Sequence, residues 1–258
     1  MLEYLTAAPY DNVFVSYLVL FDRSVATRSQ LLVARDQTRV RGVAYFGHQL
    51  VLSGDGDAVA AFAQRARTHD GERTIAGPRA AVRAFWALVR DGRPAPRIVR
   101  DRQLVMAVDR SRLRSHAASV RVRHARAAEW RAIADGSAVM IEQELGYDPR
   151  RRAPDFAANV RAMISQERWW VGEFEGRLCF LCSIGPWCRL TAQLQGVWTP
   201  PELRGRGLAS ASLAAICDRL LTVSPTLSLH VNDFNRDAIA LYRRVGFEHV
   251  SDYQTLLF

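Results

Sequence analysis

The sequence predicts an α/β protein built around a mixed sheet, in which one arrangement of strands and helices occurs twice. Short runs with strand-type alternation are interleaved with longer segments whose apolar residues recur at helical spacing. The same order of elements is followed in both halves of the 258 residues, and the halves meet between about residues 109 and 118. We therefore divide the chain into two domains, residues 1–112 and residues 118–258.

In the first half, β-type runs bounded by polar turns predict most of the sheet. Strands are expected at residues 30–35, 40–47, 49–53, 73–77 and 97–108, the last as one strand or two closing strands. Helices are expected at residues 58–67 and 80–90. Val59, Phe62 and Ala63 share one helical face, and Pro78 stands at the start of the second helix.

In the second half, the alternation of strands and helices continues up to the last residue. Strands are expected at residues 119–124, 169–175, 177–185, 190–199, 227–231 and 247–258. Helices are expected at residues 127–146, 153–164, 207–221 and 235–245. In the third of these helices Ala209, Leu213 and Ile216 form an apolar stripe at helical spacing. Residues 247–258 are expected to close the sheet.

The composition excludes several classes of protein. Hydrophobic residues make up 49% and charged residues 24%, which is usual for a well-cored soluble domain. No apolar run is long enough to span a bilayer and no secretion signal is recognisable, so we expect a cytoplasmic protein without membrane contact, as a monomer or homodimer. The net charge is +9, but the chain has no lysine, and an arginine-only, alanine-rich composition also reflects coding bias. Nucleic acid is therefore not the expected partner.

Several reactive residue types have ordinary structural explanations. Cys179 and Cys182 form a C-x-x-C inside a predicted strand, where positions three apart face opposite sides, so no metal site is expected. Cys217 lies beside a buried helical stripe. The run of three arginines at 150–152 is expected in a solvated loop between two helices.

A glycine-rich loop between a predicted strand and a predicted helix is the first element that indicates a binding site. After Val197-Trp198-Thr199 and two prolines the chain reads Leu203-Arg204-Gly205-Arg206-Gly207-Leu208-Ala209. Such a loop exposes successive backbone N–H groups at the positive end of the helix dipole, which suits a pyrophosphate. A strand, glycine loop and helix without other support are also compatible with an ordinary turn.

The second element is the helix that starts at Asn235. Asparagine is a favourable N-cap, and Gly246 suits the left-handed residue that ends a helix. Ala238, Leu241 and Tyr242 lie on one helical face. On this pattern alone, Tyr242 could be only a core aromatic residue.

Together these two elements resemble the GNAT family of acyl-CoA-dependent acyltransferases. The family's loop is Arg or Gln, two residues, Gly, one residue, then Gly or Ala, and here it reads Arg204, Gly207 and Ala209. The later signature of the family, Asn-x-x-Ala-x-x-Leu-Tyr followed by Gly-Phe, reads Asn235 to Phe247. The resemblance covers roughly residues 119–258. The first half is similar to a degenerate copy of the same fold that lacks the loop, because Gly54-Asp55-Gly56-Asp57 carries acidic residues there.

The resemblance implies acetyl-CoA, or another acyl-CoA, as co-substrate and an amine as acceptor. It implies that the strand before the loop diverges from its neighbour and that its backbone pairs with the pantetheine arm. The implied cofactor contacts are Val197, Trp198, Thr199, Arg204, Gly205, Arg206, Gly207, Leu208, Ala209, Ser210, Asn235 and Tyr242. Tyr242 matches the family's general acid, and an exposed backbone N–H is expected to stabilise the oxyanion. With ordinary pKa values, proton transfer from the phenol to a thiolate is uphill by at most ~2 kcal/mol.

The general base is left open by the sequence. Many members of the family carry a glutamate on the strand before the loop, and the matching residue here is Gln193, which cannot take a proton but can orient a water molecule. His230 has a suitable unperturbed pKa, although a packed strand histidine is an equally good interpretation. Glu142 and Glu144 in the first helix of this half are the other candidates.

Three functions are therefore compatible with the sequence. The first is acetyl transfer to the primary amine of a small molecule or peptide. The second is acylation of an amine carried by RNA, such as an aminoacyl-tRNA, which would use the excess of arginine. The third is a non-catalytic acyl-CoA-binding sensor or interaction protein.

Overall fold

The computed structural model describes residues 1–22, 24–66, 73–116 and 119–258. Arg67, the last residue of one predicted helix, and residue 118, the predicted start of the second domain, lie outside the described residues.

The described residues form ten α-helices and eleven strands. The helices are α1 (Leu2–Ala7), α2 (Val13–Phe21), α3 (Val25–Gln30), α4 (Gly56–Ala66), α5 (Arg79–Val89), α6 (Trp130–Leu145), α7 (Pro149–Arg152), α8 (Phe156–Ser165), α9 (Leu208–Leu220) and α10 (Arg236–Val245). The strands are β1 (Leu31–Asp36), β2 (Arg39–Phe46), β3 (Gln49–Gly54), β4 (Thr74–Pro78), β5 (Ile98–Asp109), β6 (Arg121–His124), β7 (Trp169–Phe174), β8 (Arg177–Trp187), β9 (Thr191–Trp198), β10 (Thr226–Asn232) and β11 (Glu248–Leu257).

All eleven strands belong to one mixed sheet. Its order is β1-β2-β3-β4-β11-β5-β10-β9-β8-β7-β6. Only β3 with β4 and β9 with β10 run parallel, and the other neighbouring pairs are antiparallel. The mixed α/β class predicted from the sequence is confirmed.

The two halves exchange their last strands. β11, the last strand of the chain, lies between β4 and β5, and β5 in turn pairs with β10 of the second half. The closing strands predicted at residues 97–108 and 247–258 are found as β5 and β11. Both strands lie at the centre of the sheet, because each half supplies a pairing edge to the other.

Four hydrophobic clusters fill the space between the helices and the sheet. In the second half, α9 and α10 cover one face through Leu213, Ile216 and Val245, and α6 and α8 cover the other through Ile133 and Ile164. In the first half, α4 and α5 pack on β2 and β3, while α1 and α2 pack on the opposite face. Helices thus cover both faces of the sheet in each half.

Three helices near the amino terminus were not predicted. They are α1, α2 and α3. The second of them extends from the first half onto the sheet of the second, where Tyr17 lies 4.7 Å from Trp187 between ring centroids. Its residues VFVSYLVLF are nearly all apolar, so the segment has no helical periodicity to recognise.

Two local expectations are also corrected. The three arginines at 150–152 are not in a loop but form α7, a single turn that starts at Pro149. Cys179 and Cys182 lie in the same core cluster, and the Cys179 Sγ is 3.9 Å from the Ser212 Oγ of α9. An irregularity in the pairing of β7 with β8 interrupts the alternation of faces along β8. The two cysteines therefore do not face opposite sides of the sheet, as their spacing of three residues had predicted.

Candidate functional site

The strands β9 and β10 pair at their beginnings and then diverge. Their parallel register covers Thr191 to Gln193 on β9 and Thr226 to Ser228 on β10, and it ends there. Beyond this point β9 continues beside β8 only, and β10 continues beside β5. The rest of β9, residues 194–198, therefore presents an unpaired backbone edge toward the opening.

A glycine bulge turns the end of β9. The pairing with β8 shifts between Leu181 and Ser183, so one extra residue of β9 is accommodated at Gly196, which has a φ of 60°. Gln195 is exposed on one side of this bulge, and Val197 packs at the edge of the core below α9. The bulge thus increases the divergence of β9 from β10.

The predicted glycine loop connects β9 to α9 in the expected way. Gly205 and Gly207 have φ values of 74° and 75°, a left-handed conformation that side chains rarely adopt. No atom lies within 4 Å of a Cβ built on either glycine, so the loop is open above both residues. The Arg204 Nε donates to the Thr199 carbonyl oxygen at 3.1 Å, which closes the loop back onto the end of β9.

The helix α10 forms the facing wall. The Asn235 Oδ1 accepts a hydrogen bond from the Ala238 N–H at 3.2 Å, and Gly246 ends the helix with a φ of 111°. Both caps are those expected from the sequence. Because the Asn235 Oδ1 is used by the cap, its Nδ2 is the group that remains to donate into the opening.

These elements enclose a cleft of about 960 Å³. Its lining includes Val197, Trp198 and Thr199, and every predicted loop residue from Arg204 to Ser210 except Arg206. Asn235, Tyr242 and Glu144 also line it. The guanidinium of Arg206, which does not line the cleft, lies 5.0 Å from the centroid of the Phe174 ring.

Tyr242 is buried in the wall of the cleft. Burial raises the pKa of the Tyr242 phenol above its ordinary value, and the nearby Cys182 and Glu144 raise it further. The phenol therefore keeps its proton at neutral pH. The free-energy cost of transferring this proton to a free thiolate therefore exceeds the roughly 2 kcal/mol that unperturbed pKa values give.

The structure separates the three candidate bases. Glu144 lines the cleft, and its Oε2 accepts a hydrogen bond from the Arg100 Nη2 at 2.7 Å. Glu142 is exposed and does not line the cleft. His230 does not line it either, its Nε2 is buried without a partner among the described residues, and burial lowers the pKa of the imidazole to about 4.

Residues that the sequence argument missed complete the cleft. Met140 and Gln143 of α6 contribute to one wall, and Asn232 and Phe234 contribute where β10 leads into α10. The Phe234 side chain is 74% exposed, which is unusual for phenylalanine. Because both residues lie next to the Asn235 cap, they could have been found by extending the motif toward β10.

Comparison with known families agrees with this geometry. Residues 130–247 match the sequence model of the acetyltransferase (GNAT) family, and residues 29–133 match that of a domain of unknown function, DUF4081. Residues 130–247 are a GNAT domain. Its matched range includes the glycine loop, the diverging strands and α10.

Solved structures share the fold of the whole chain. An acetyltransferase of the GNAT family from Colwellia psychrerythraea has a TM-score of 0.59 at 13% identity, covering 100% of this chain and 97% of the other. A Drosophila protein has a TM-score of 0.71 at 11% identity, covering 99% and 93%. A tandem GNAT protein from the clavulanic acid biosynthesis pathway has a TM-score of 0.51 at 15% identity, covering 95% and 87%. No protein of curated function matches the chain.

The first half resembles a second GNAT copy. In the loop that corresponds to the glycine loop, however, the side chain of Asp55 occupies a backbone N–H group at the start of the helix. Where the GNAT domain has its glycine loop, the Asp55 Oδ1 accepts from the Ala58 N–H at 3.1 Å. The Asp55 Oδ2 lies 2.5 Å from the Arg41 Nε. This carboxylate lies at the start of α4, where an anionic ligand would need the same N–H groups.

Two further searches covered the described ranges. Within them, no group of three or more His, Cys, Asp or Glu residues is arranged to hold a metal ion. In the same residues, no helix combines the length and the apolar character needed to cross a bilayer.

Proposed function

We propose that this protein is an acetyl-CoA-dependent N-acetyltransferase that transfers the acyl group to a primary amine by direct attack on the thioester. The observation that carries the proposal is the divergence of β9 from β10 beside the glycine loop. An unpaired strand edge there runs directly into a loop suited to phosphate, and acyl-CoA needs both kinds of site.

The cleft fits this co-substrate along its whole length. The backbone N–H groups at the start of α9 are free of partners within the helix and bind the pyrophosphate, aided by Arg204. The unpaired edge of β9 at residues 194–198 pairs with the amides of the pantetheine arm. A backbone N–H of this edge also stabilises the oxyanion that forms at the thioester carbon.

Two side chains of the cleft act as the general base and the general acid of the reaction. Glu144 accepts a proton from the ammonium group of the acceptor and so produces the amine that attacks, since it is the candidate carboxylate that lines the cleft. The amine nitrogen forms a bond to the carbonyl carbon and the carbon–sulfur bond breaks. Tyr242 donates its proton to the departing thiolate, and the second proton that the nitrogen loses as the amide forms restores the phenol.

The test is thiol release from acetyl-CoA with a library of amines and peptides. We expect Tyr242→Phe and Glu144→Gln to lower kcat by about 100-fold or more while acetyl-CoA still binds. Glu142→Gln is the matched control for the second variant, because Glu142 lies two residues earlier on α6 and outside the cleft. It should change kcat by less than about twofold.

The outcomes are distinguishable by binding. Tight acetyl-CoA binding without turnover of any amine would favour the non-catalytic sensor or a longer acyl donor. Equal activity of the wild type and Tyr242→Phe would remove Tyr242 from the mechanism.

A further inference from the structure

The first half of the chain reaches the mouth of the cleft through β5. This strand pairs with β10 only from Gln103 to Asp109, and its first residues, 98–102, run past the carboxyl end of β10 beside β11. The Asp233 N–H donates to the Arg102 carbonyl oxygen at 3.2 Å and fixes this crossing. The start of β5 therefore comes close to the cleft, because Arg100 binds Glu144 in its lining.

One of these side chains holds the candidate base. The Arg100 Nη2 binds Glu144, and the Arg100 side chain is only 20% exposed. The Arg100 Nε is buried and has no partner among the described residues. A carboxylate of the GNAT domain is thus held in the cleft by an arginine of the other half.

Two further arginines lie against one aromatic ring, just past the end of α6 that carries Glu144. The guanidinium carbon of Arg97 is 5.2 Å and that of Arg152 is 5.6 Å from the centroid of the Tyr147 ring. Tyr147 follows Glu144 by three residues, just past the end of α6. In the described ranges, neither guanidinium forms an ion pair with a carboxylate. The ring therefore restrains two positive charges that no carboxylate of the described residues neutralises.

The neighbouring arginines differ from these two. Arg150 is paired with Asp135 and Asp148, at 2.6 Å and 2.9 Å. Arg151 has 88% of its side chain exposed and comes only within 4.0 Å of Asp148. Of the three consecutive arginines, only Arg152 thus contacts the Tyr147 ring that Arg97 also contacts, without an acidic partner in the described ranges.

We infer that the acceptor is an amine that also carries an anionic group, a carboxylate or a phosphate. Arg97 and Arg152 bind this anion, while the ammonium lies at Glu144. Guanidinium groups suit both anions, because their N–H groups match the spacing of two oxygen atoms. Because Arg100 already pairs with Glu144, the two unneutralised cations give this region a net positive charge, which favours an acceptor that carries an anion. This inference rests on the proposed acetyltransferase function.

The experiment compares amines that differ only in the anion. The pairs are ethanolamine with O-phosphoethanolamine, and propylamine with β-alanine, which separate phosphate from carboxylate. In the wild type we expect kcat/KM for thiol release to be at least about tenfold higher for the anionic member of one pair or both. The double variant Arg97→Gln with Arg152→Gln should bring the two members within about twofold. Arg151→Gln is the matched control and should keep the wild-type preference.

A second readout needs no turnover. Binding of the same four amines to the protein saturated with coenzyme A, followed by calorimetry, should show the same preference and the same loss in the double variant. Anionic preference in binding without any turnover would retain this anion site and reject the acetyltransferase function.

Three results would overturn the inference. They are the absence of any preference for the anionic members, a preference that survives in the double variant, and a tenfold loss of acetyl-CoA affinity in that variant. The last result would assign the two arginines to the phosphates of the co-substrate.

Discussion

His230 lies in contact with Tyr253, with 4.4 Å between the ring centroids. Its neighbours on β10, Leu229 and Val231, belong to the core below α9, so the alternation of the strand directs the imidazole to the opposite face. The folded protein resists protonation there, because the pKa is lowered to about 4 by burial. An unfolded chain takes up this proton near pH 6.5. The contribution of His230 to stability is therefore complete above pH 6.5 and is lost as the pH falls toward 4.

We predict that His230→Gln removes this pH dependence. Between pH 7.5 and pH 5, the free energy of unfolding of the wild type should fall by roughly 2 kcal/mol more than that of the variant, from the shift between pKa 6.5 and 4. Urea denaturation at both pH values measures the difference. Parallel pH profiles of the two proteins would show that folding does not lower the pKa of His230.

At the scale of elements, two helices end in the same way but in different surroundings. Gly146 ends α6 and Gly246 ends α10, both with positive φ. A Cβ at Gly146 meets nothing within 4 Å, whereas a Cβ at Gly246 would overlap the carbonyl oxygen of Arg112. The segment that joins the halves is docked there, since the Arg114 N–H donates to the Val245 carbonyl oxygen at 3.0 Å.

The two glycines form a matched pair for mutation. Gly146→Ala should cost roughly 1–2 kcal/mol, the usual penalty for a side chain in the left-handed region. Gly246→Ala should cost at least about twice as much, because the backbone of the connecting segment must also move. Chemical denaturation of both variants gives the two values. Equal losses of stability in the two variants would mean that the connecting segment moves without a cost in free energy.

At the scale of the whole molecule, the halves share one sheet. We propose residues 1–112 and 118–258 as the division of the sequence, but β11 and β5 each pair across that division. Removing either half would expose β-strand edges on both sides of a central strand, with unpaired backbone groups. The exchange also gives the first half a part in the cleft, because Arg100 pairs with Glu144 there.

We predict that neither half folds alone. Residues 119–258 produced separately should lack a cooperative thermal transition, and co-production with residues 1–116 should restore it. Calorimetry and co-purification measure the two effects. A cooperative transition of the isolated second half would contradict the prediction and show that another strand can replace β5.

Local rules made several features predictable from the sequence. The loop from Arg204 to Ser210 could be found because Gly205 and Gly207 are required by a positive φ, and the helix at Asn235 because its cap and its terminal glycine act within one turn. The resemblance of these two segments to one family then led to the fold, and the family match bears this out.

Only the tertiary structure decided the remaining features. Strand exchange and the divergence of β9 from β10 depend on pairing between residues far apart in sequence. The alternation of apolar residues along a strand indicates which of its faces is buried, but not which strand pairs with it. Glu142 and Glu144 are equivalent in type, but residues two positions apart on a helix point in different directions, and the packing of α6 brings only Glu144 into the cleft. The sequence by itself thus determined the chemistry of the loop and its helix. The fold determined which carboxylate and which arginines accompany them, because those contacts cross between the halves.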